Sequence, residues 1–309
     1  MLTKTRRYLV IIIMISLISN CKVSSDFDIQ GHRGCRGYYP ENTGKGFLKA
    51  MEMGITTLEM DVVISADKQV LLSHEPFMNH EICLTPEGKE ITELEEKSFN
   101  IYKMNYAEIV KFDCGSKTHP RFEQQEKAKE VKPLLSDVIQ LIEKNKPDGV
   151  KIHYNIETKT EESTDSIFHP KPELFVDLVM QEIKNAGIEK QVIIQSFDVR
   201  TLQVLNQKYP KIKTALLIEN TLTYNENIAL LGFIPNVYSP EFISVDMDLA
   251  IACKKDDIKL IPWTVNEYSD IEKMILCGVD GIISDYPDRV LKVIEKQKYN
   301  FIESHFIKY

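Results

Sequence analysis

The sequence lacks several features that would place it in common functional classes. Six cysteines are present but none stands in a CxxC pair, so no zinc site is indicated. The formal net charge is −8, which argues against non-specific binding of nucleic acid. No internal repeat of fixed period is visible. The chain is therefore not predicted to bind zinc or nucleic acid.

Composition and length are those of an ordinary globular protein. Hydrophobic residues make up 43% of the chain and charged residues 27%, so most of it should fold around a substantial core. The 309 residues fit one large domain or two ordinary ones, since α/β barrels commonly run to about 250 residues as a single unit. Length alone leaves this choice open.

The N-terminus carries the three-part pattern of a secretory signal. Basic residues precede an apolar run, Tyr8 to Ile18, and small and polar residues follow it. A run of about 11 apolar residues is too short to span a bilayer easily. We therefore expect residues 1–20 to be a signal peptide and the mature chain to be exported.

The segment LISNC, residues 17–21, is similar to the cleavage box of bacterial lipoproteins, in which the cysteine becomes the lipidated first residue. Asn20 departs from the small residue usual before that cysteine. We expect a lipid anchor on Cys21, residues 21–26 as a tether, and attachment to a membrane on the periplasmic or outer surface. A plain secretory peptide and an uncleaved anchor are the alternatives.

The other five cysteines leave the disulfide pattern open. They are Cys35, Cys83, Cys114, Cys253 and Cys277. Export permits disulfides, and Cys83 with Cys114 is one possible pair because both fall in one irregular segment. Free buried thiols are the alternative.

Short apolar runs alternate with longer helical patterns, as in parallel strands joined by crossover helices. The predicted strands are Asp28–Gly31, Thr56–Asp61, Val150–Glu157, Val192–Phe197, Thr214–Ile218, Asn236–Ser239, Lys259–Val265 and Gly281–Asp285. The predicted helices are Thr43–Met53, Pro133–Asn145, Lys171–Ala186, Arg200–Tyr209, Asp246–Lys255 and Glu267–Leu276. We therefore expect an α/β fold, a TIM (β/α)8 barrel, over residues 27–300.

One apolar run, Val70 to His74, does not fit that alternation. Only four residues, 66–69, separate it from the preceding strand region, which is too few for a parallel crossover. It is therefore predicted to be the returning arm of a hairpin that brings His74 beside Glu59 and Asp61. The weaker pattern over about 75–132 is predicted to be an insertion over the carboxyl-terminal mouth of the barrel.

Polar residues are concentrated at the carboxyl ends of the predicted strands, where active sites of α/β barrels are built. They are His32, Arg33, Glu59, Asp61, Glu157, Lys159, Gln195, Ser196, Glu219, Trp263, Asn266 and Asp285. Carboxylates hold a hard cation, arginine binds phosphate oxygens and histidine moves protons. The set therefore suits metal-assisted chemistry on a phosphate ester.

Several of these carboxylates have a purely structural alternative. Glu59 and Asp61, two apart in a strand, share one face, which is often a solvated edge; their apolar neighbours favour inward carboxylates instead. Glu157 has a salt bridge with Lys159 as its alternative role. The alternative role of Asp285 is to cap the following helix.

The basic residues have structural alternatives too. His32 is open to interpretation as a capping or core histidine, and His74 as a surface residue of the hairpin. Arg33 has an ion pair with Glu41 as its alternative.

The order of motifs resembles that of the glycerophosphodiester phosphodiesterase family. The motifs are GHRG (31–34), PENT (40–43), LEMDVVIS (58–65), the His74 arm, NIETK (155–159), QSFD (195–198), PWTVN (262–266) and GVDGIISDYPD (278–288). Two departures stand out: Glu75 follows His74 where the family commonly has Asp, and Thr158 stands where it commonly has Ile. Glu75 is expected to change substrate contacts at the mouth.

The resemblance implies metal-dependent hydrolysis of glycerophosphodiesters to glycerol 3-phosphate and an alcohol, by histidine acid/base catalysis through a cyclic phosphate. It assigns Glu59, Asp61 and Glu157 as ligands of Ca²⁺ or Mg²⁺, His32, His74 and Arg33 as catalytic residues, and Lys159, Arg33, Glu41, Trp263 and Asn266 as substrate-binding residues. Oxygen ligands suit either cation. Glu41 and Asn42 are also expected to support Arg33. Which histidine acts first stays open.

Two other functions are compatible with the same pattern. One is a phospholipase C or D acting on intact or lyso lipids, which a broad apolar rim around the pocket would favour and a small polar mouth would not. The other is a non-catalytic binding module, which the loss of a histidine or acidic ligand would have supported. The expected partners are a small-molecule substrate and a membrane, with no protein partner inferred.

Overall fold

The computed structural model describes residues 27–306, so the predicted signal peptide, tether and lipidation site at Cys21 lie outside the described residues. Within that range a single nine-stranded sheet is formed. Its strands are β1 (Asp28–Gly31), β2 (Thr57–Ile64), β3 (Val70–Leu72), β4 (His153–Thr158), β5 (Val192–Ser196), β6 (Lys213–Ile218), β7 (Val237–Pro240), β8 (Lys259–Leu260) and β9 (Gly281–Ser284).

Eight of these strands run parallel around a barrel in the order β8-β7-β6-β5-β4-β2-β1-β9. The strand β8 is short because the chain soon reaches Pro262, which has no N–H to donate. The chain beyond it still bonds to β9, with Ile283 N 3.0 Å from the Pro262 carbonyl and Val265 N 3.0 Å from the Ile283 carbonyl. The TIM barrel expected from the sequence is confirmed.

Helices follow most of the barrel strands and cover the outside of the sheet. In the described residues they are α1 (Gly44–Glu52), α2 (Tyr106–Ile109), α3 (Leu135–Asn145), α4 (Pro172–Ala186), α5 (Val199–Lys208), α6 (Tyr224–Leu231), α7 (Met247–Lys255), α8 (Tyr268–Cys277) and α9 (Pro287–Phe306). No helix among these residues is both long and apolar enough to cross a membrane.

The helix α6 was not predicted from the sequence. It begins with a capping box, in which Thr223 and Glu226 satisfy each other's backbone N–H groups, and it ends at Gly232 in the left-handed conformation. These are the ordinary start and stop signals of a helix. The helix is only eight residues long, so its apolar periodicity is weak although its caps are clear.

The predicted hairpin is confirmed. The strand β3 pairs antiparallel with the end of β2, with Val62 opposite Leu72 and Ile64 opposite Val70. Ser73 N donates to the Asp61 carbonyl at 3.1 Å. The hairpin therefore returns the chain to the mouth of the barrel directly before His74.

The segment between β3 and α3 forms a small hydrophobic core together with Val63 of β2 and Leu71 of β3. Its buried members are Val63, Leu71, Met78, Cys83, Ile91, Ile101, Ile109, Phe112 and Cys114. Cys83 and Cys114 form a disulfide inside this cluster, while Cys35 and Cys253 are free and buried. Packing of the side chains in this core, rather than long helices or strands, gives the segment its structure.

Candidate active site

Three carboxylates meet at the mouth of the barrel. Glu59 and Asp61 belong to β2, and Glu157 of the neighbouring strand β4 stands directly opposite Asp61 in the parallel register. One oxygen from each of the three lies within 4.8 Å of the others, and all three residues are buried. The alternative of a solvated strand edge is therefore wrong for Glu59 and Asp61, which are 1% and 0% exposed.

This cluster fits a hard divalent cation. Asp61 Oδ1 is buried and accepts no hydrogen bond, although Lys159 Nζ lies 3.8 Å away and bonds to Glu157 at 2.6 Å. Burial and the charges of Asp61 and Glu157 raise the pKa of Glu59 well above its usual range. A cation would relieve that repulsion, and oxygen ligands suit Ca²⁺ or Mg²⁺.

Two fixed donors orient Glu59. The backbone N–H of Arg33 donates to Glu59 Oε2 at 2.7 Å, and Gln195 Nε2 donates to Oε1 at 2.9 Å. Gln195 in turn accepts from Asn155 Nδ2 at 2.9 Å. The carboxylate is held by buried polar groups of neighbouring strands, so its position does not depend on solvent.

The GHRG motif forms the turn that aims the Arg33 N–H at Glu59. Arg33 has a positive φ of 49° and Gly34 one of 90°. A Cβ on Gly34 would stand 2.8 Å from the Gly46 carbonyl carbon, so this position needs glycine for space as well as conformation. A non-glycine residue with positive φ is strained, and here the turn holds Arg33 in that conformation.

The Arg33 side chain lies among carboxylates. Its Nη1 donates to Glu41 Oε2 at 2.9 Å, and its Nε lies 3.2 Å from Asp61 Oδ2. Burial alone would raise the pKa of Asp61, but Arg33 is the first of several charges that hold it well below its usual range. Arg33 therefore supplies positive charge beside the proposed cation site.

Asn42 orients Asp61. Its amide nitrogen donates to Asp61 Oδ2 at 2.8 Å, and its amide oxygen accepts from Asp61 N at 3.1 Å. Asn42 also has a positive φ, 56°, which asparagine tolerates better than most residues. The PENT motif therefore contributes two kinds of support, from Glu41 to Arg33 and from Asn42 to Asp61.

His32 is fixed by an acidic residue from the far end of the chain. Its Nδ1 lies 2.7 Å from Asp285 Oδ1, and Arg36 Nε donates to the same oxygen at 2.8 Å. Asn266 Nδ2 donates to Asp285 Oδ2 at 2.8 Å. Burial lowers the pKa of His32 to about 4, although Asp285 opposes the shift. His32 is therefore neutral near pH 7, with Nδ1 donating to Asp285 and Nε2 left to accept a proton.

His74 has a carboxylate partner next to it in the sequence. Its Nδ1 lies 2.6 Å from Glu75 Oε1. Burial would raise the pKa of Glu75, but His74 is the first of several charges that hold it well below its usual range. Glu75, the departure from the family pattern, therefore contacts the imidazole of His74 directly.

Behind this pair lies a buried lysine that the sequence had not indicated. Lys132 Nζ donates to Ser73 Oγ at 2.7 Å, and Ser73 Oγ donates to the Glu75 carbonyl at 2.5 Å. Lys132 is 5% exposed. It lies at the end of the irregular segment, where no periodic pattern or motif marked it.

A cavity of about 270 Å³ opens over these groups. His32, His74, Arg33, Glu59 and Glu157 all line it. Both histidines therefore face the same space as the carboxylates. That space is large enough for a small phosphate ester. An ester bound there would contact the histidines and the carboxylates together, as the chemistry requires.

The predicted substrate-binding residues take different positions. Trp263 lines the cavity beside Phe197, with the two rings 5.5 Å apart edge to face, and its indole N–H donates to the Ser239 carbonyl at 2.8 Å. Asn266 instead contacts Asp285. Glu41 and Lys159 are absent from the walls of this cavity; Glu41 contacts Arg33.

Two arginines at the cavity were missed in the sequence. Arg36 and Arg121 both line it, and their guanidinium groups lie 4.9 and 5.8 Å from the centre of the Phe122 ring. Arg36 lies three residues after Arg33, so its proximity to the GHRG motif was the available signal. Arg121 comes from the insertion, where sequence pattern gave no placement.

Comparison with known proteins agrees with this geometry. Residues 32–289 match the family model described as "Glycerophosphoryl diester phosphodiesterase family". A glycerophosphodiester phosphodiesterase of Caldanaerobacter subterraneus subsp. tengcongensis is 31% identical over 266 residues, covering 86% of this chain and 96% of that protein. One from Bacillus altitudinis is 28% identical, covering 87% and 99%.

Solved structures show the same fold. A putative glycerophosphoryl diester phosphodiesterase from Silicibacter pomeroyi superposes with a TM-score of 0.80 at 25% identity, covering 91% of this chain and 97% of that one. A phosphodiesterase from Oleispira antarctica, solved in complex with the product sn-glycerol-3-phosphate, gives 0.69 at 22% identity, covering 87% and 96%. With the family model spanning nearly the whole described chain, the protein belongs to the glycerophosphoryl diester phosphodiesterase family of phosphoric diester hydrolases.

Proposed function

We propose that the protein hydrolyses glycerophosphodiesters to glycerol 3-phosphate and an alcohol, using a divalent cation and two histidines. The observation that carries the proposal is one cavity lined by both histidines and by Arg33, directly over the cluster of Glu59, Asp61 and Glu157. The product complex of the Oleispira antarctica phosphodiesterase, which shares the fold, supports the substrate class.

Glu59, Asp61 and Glu157 would hold the cation, either Ca²⁺ or Mg²⁺. When bound there, it would polarise phosphate oxygens and stabilise negative charge as it develops. Arg33 adds a fixed positive charge on the same side and is suited to bind phosphate oxygens. The residues of the chain then have to position the ester and move two protons.

His32 is the better base for the first step. Its Nε2 carries a free lone pair because Nδ1 donates to Asp285. In our proposal His32 removes the proton from the glycerol hydroxyl next to the phosphoester, that oxygen attacks phosphorus, and a cyclic phosphate forms as the bond to the alcohol breaks.

His74 is proposed to transfer the proton on the side of the departing alcohol. In our proposal His74 begins the cycle with a proton on each ring nitrogen, Nδ1 lying 2.6 Å from Glu75 Oε1, and it gives the Nε2 proton to the departing alcohol oxygen. In the second step His74 removes a proton from water as that water attacks phosphorus, and His32 returns its proton to the glycerol oxygen. The net reaction consumes one water and leaves both histidines as they began.

The proposal is tested by assaying residues 22–309 with glycerophosphocholine, glycerophosphoethanolamine, glycerophosphoinositol and lysophospholipids, with and without EDTA. We expect glycerol 3-phosphate from the glycerophosphodiesters and its loss in EDTA. Failure to release glycerol 3-phosphate from every diester would contradict the proposed reaction. Hydrolysis of lysophospholipids alone would support the phospholipase alternative instead.

We also propose that the chain is exported and held at a membrane by a lipid on Cys21. Six peptide steps separate Cys21 from Phe27, a reach of at most about 21 Å. The strand β1 begins at Asp28, so the chain enters the barrel at the end opposite the mouth. An anchor there would turn the mouth toward the aqueous side, which favours water-soluble diesters over intact lipids. Labelling of the full chain with a radioactive fatty acid, lost on Cys21→Ser, tests the anchor.

A further inference from the structure

A second cavity of about 260 Å³ adjoins the first. His74, Glu157 and Phe197 line both cavities, whereas His32 and Arg33 line only the first. The boundary between the two spaces therefore runs through His74 and the proposed cation site.

This division matches the geometry of phosphoryl transfer. The attacking and leaving oxygens stand roughly in line on opposite sides of phosphorus. If phosphorus lies at the boundary and the glycerol lies on the His32 side, the alcohol must leave on the side of the second cavity. Of the two proposed catalytic histidines, His32 and His74, only His74 faces that side, as a proton donor to the alcohol should.

The wall of the second cavity is formed where the insertion packs against the β4–α4 loop. Phe77 and Phe168 stand edge to face with ring centres 6.0 Å apart. Asn100, which is 3% exposed, donates from its amide to the Ile167 carbonyl at 2.8 Å, and Ile101 N donates to the Pro76 carbonyl at 2.9 Å. Both aromatic rings are thus supported by backbone contacts beside them.

The hydroxyl groups in this wall are already engaged. Thr158 bonds to Thr201 at 2.9 Å, and Thr160 donates to Asp198 at 3.0 Å. Thr164 bonds to His169 at 2.9 Å. These bonds leave the threonine hydroxyls with few free donors for a polyol such as inositol.

The remaining surface suits an alkylammonium group. Three phenylalanines line the cavity, and aromatic faces attract cations that carry apolar methyl groups. Glu161 lines it as well, is exposed, accepts a hydrogen bond from Ser163 Oγ at 2.6 Å, and has no ion pair among residues 27–297.

Two lysines line the cavity too. Lys97 is exposed at the rim, and Lys159 Nζ donates to Glu157 at 2.6 Å and lies 6.0 Å from the centre of the Phe197 ring. Phe77 and Phe168 are therefore the rings left for a further cation.

We propose that the second cavity binds the leaving alcohol, and that Phe77, Phe168 and Glu161 select alcohols that carry an alkylammonium group, choline above polyols. This inference rests on the proposed hydrolysis of glycerophosphodiesters and adds the class of alcohol. It assigns specificity to residues that take no part in the chemical steps.

The test compares two diesters, glycerophosphocholine and glycerophosphomethanol, whose methanol is too small to reach the wall. We expect Phe77→Ala and Phe168→Ala each to lower kcat/KM for the choline diester by about tenfold and to change that for the methyl diester less than twofold. Phe77→Leu, which keeps apolar volume, should show most of the same loss. Thermal unfolding of each variant checks that the fold is kept.

Glu161→Gln gives a second test that does not touch the core. It should raise KM for the choline diester several-fold, while the matched control Glu162→Gln, an exposed neighbour outside the cavity, should change nothing. Equal losses for both diesters, or no loss in any variant, would overturn the assignment of the cavity and leave the proposed function standing. A wild-type protein that hydrolyses neither diester would contradict the proposed function and this inference together.

Discussion

His32 Nδ1 and Asp285 Oδ1 lie 2.7 Å apart although 253 residues separate them in the chain. The closure of the barrel brings them together, because β1 pairs with β9 in parallel register and Gly31 stands opposite Ser284. The residue that follows each strand then points into the same corner of the mouth. A histidine held in this way has one nitrogen committed to the carboxylate and the other available to substrate.

Asp285→Asn should lower kcat by about a hundredfold or more, because an amide does not enforce the donor state of His32 Nδ1 as a carboxylate does. KM should change little, since Asp285 does not line the cavity. Steady-state kinetics over a range of pH would check this. A purely structural role for Asp285 would lower the amount of folded protein and leave kcat per folded molecule unchanged.

The same carboxyl group should make stability depend on pH in the acid range. His32 and Arg36 hold the pKa of Asp285 well below its usual range, against the effect of burial. Its stabilising contribution is therefore complete above about pH 4, the ordinary pKa of an unfolded Asp, and is lost as the pH falls toward the folded value. Urea unfolding between about pH 6 and about pH 3 should show a larger loss of stability for wild type than for Asp285→Asn. Parallel curves would contradict this.

Lys132→Met should slow turnover although Lys132 is not expected to contact the substrate. The lysine holds Ser73, which holds the Glu75 backbone beside His74. Loss of such supporting contacts typically costs about 10- to 100-fold in activity, and we expect it in kcat rather than KM. Exposed Lys89→Met in the same segment is the control. Unchanged kcat in folded Lys132→Met would show that the contact does not position His74.

Gly34→Ala should destabilise the fold strongly. The residue has a φ of 90°, and an added Cβ would meet the Gly46 carbonyl carbon at 2.8 Å. Gly88→Ala is a matched control, because its φ is 76° but nothing lies within 4 Å of the added Cβ. We expect the control to cost about 1 kcal/mol and Gly34→Ala at least about 1–3 kcal/mol more. Equal losses in chemical unfolding would show that space at Gly34 is not limiting.

Much of the barrel and the core of the site could be predicted from the sequence. Strand patterns are strong where both faces are buried, as in β2, and the four-residue link after it forced a hairpin. Motifs then placed His32, Glu59 and Asp61 on adjacent strand ends. These features are local, so a reader of the sequence can recover them.

The supporting contacts could not be predicted in the same way. Lys132, Arg121 and Phe77 lie in or beside the irregular insertion, whose shape depends on the small core that it forms with β2 and β3 and on no periodic pattern. Asp285 was seen, but helix capping explained it equally well until the closed barrel placed it beside His32. Such roles depend on three-dimensional neighbours.

The most direct test of the account is the cation dependence of glycerol 3-phosphate release. Glycerophosphocholine is supplied to protein dialysed exhaustively against EDTA, before and after Ca²⁺ or Mg²⁺ is returned, with Glu162→Gln as a control and Glu59→Gln as the site variant. We predict that turnover is lost on dialysis, returns with the cation in wild type and control, and stays absent in folded Glu59→Gln. Full turnover in EDTA, or in Glu59→Gln, would contradict the proposed cation site.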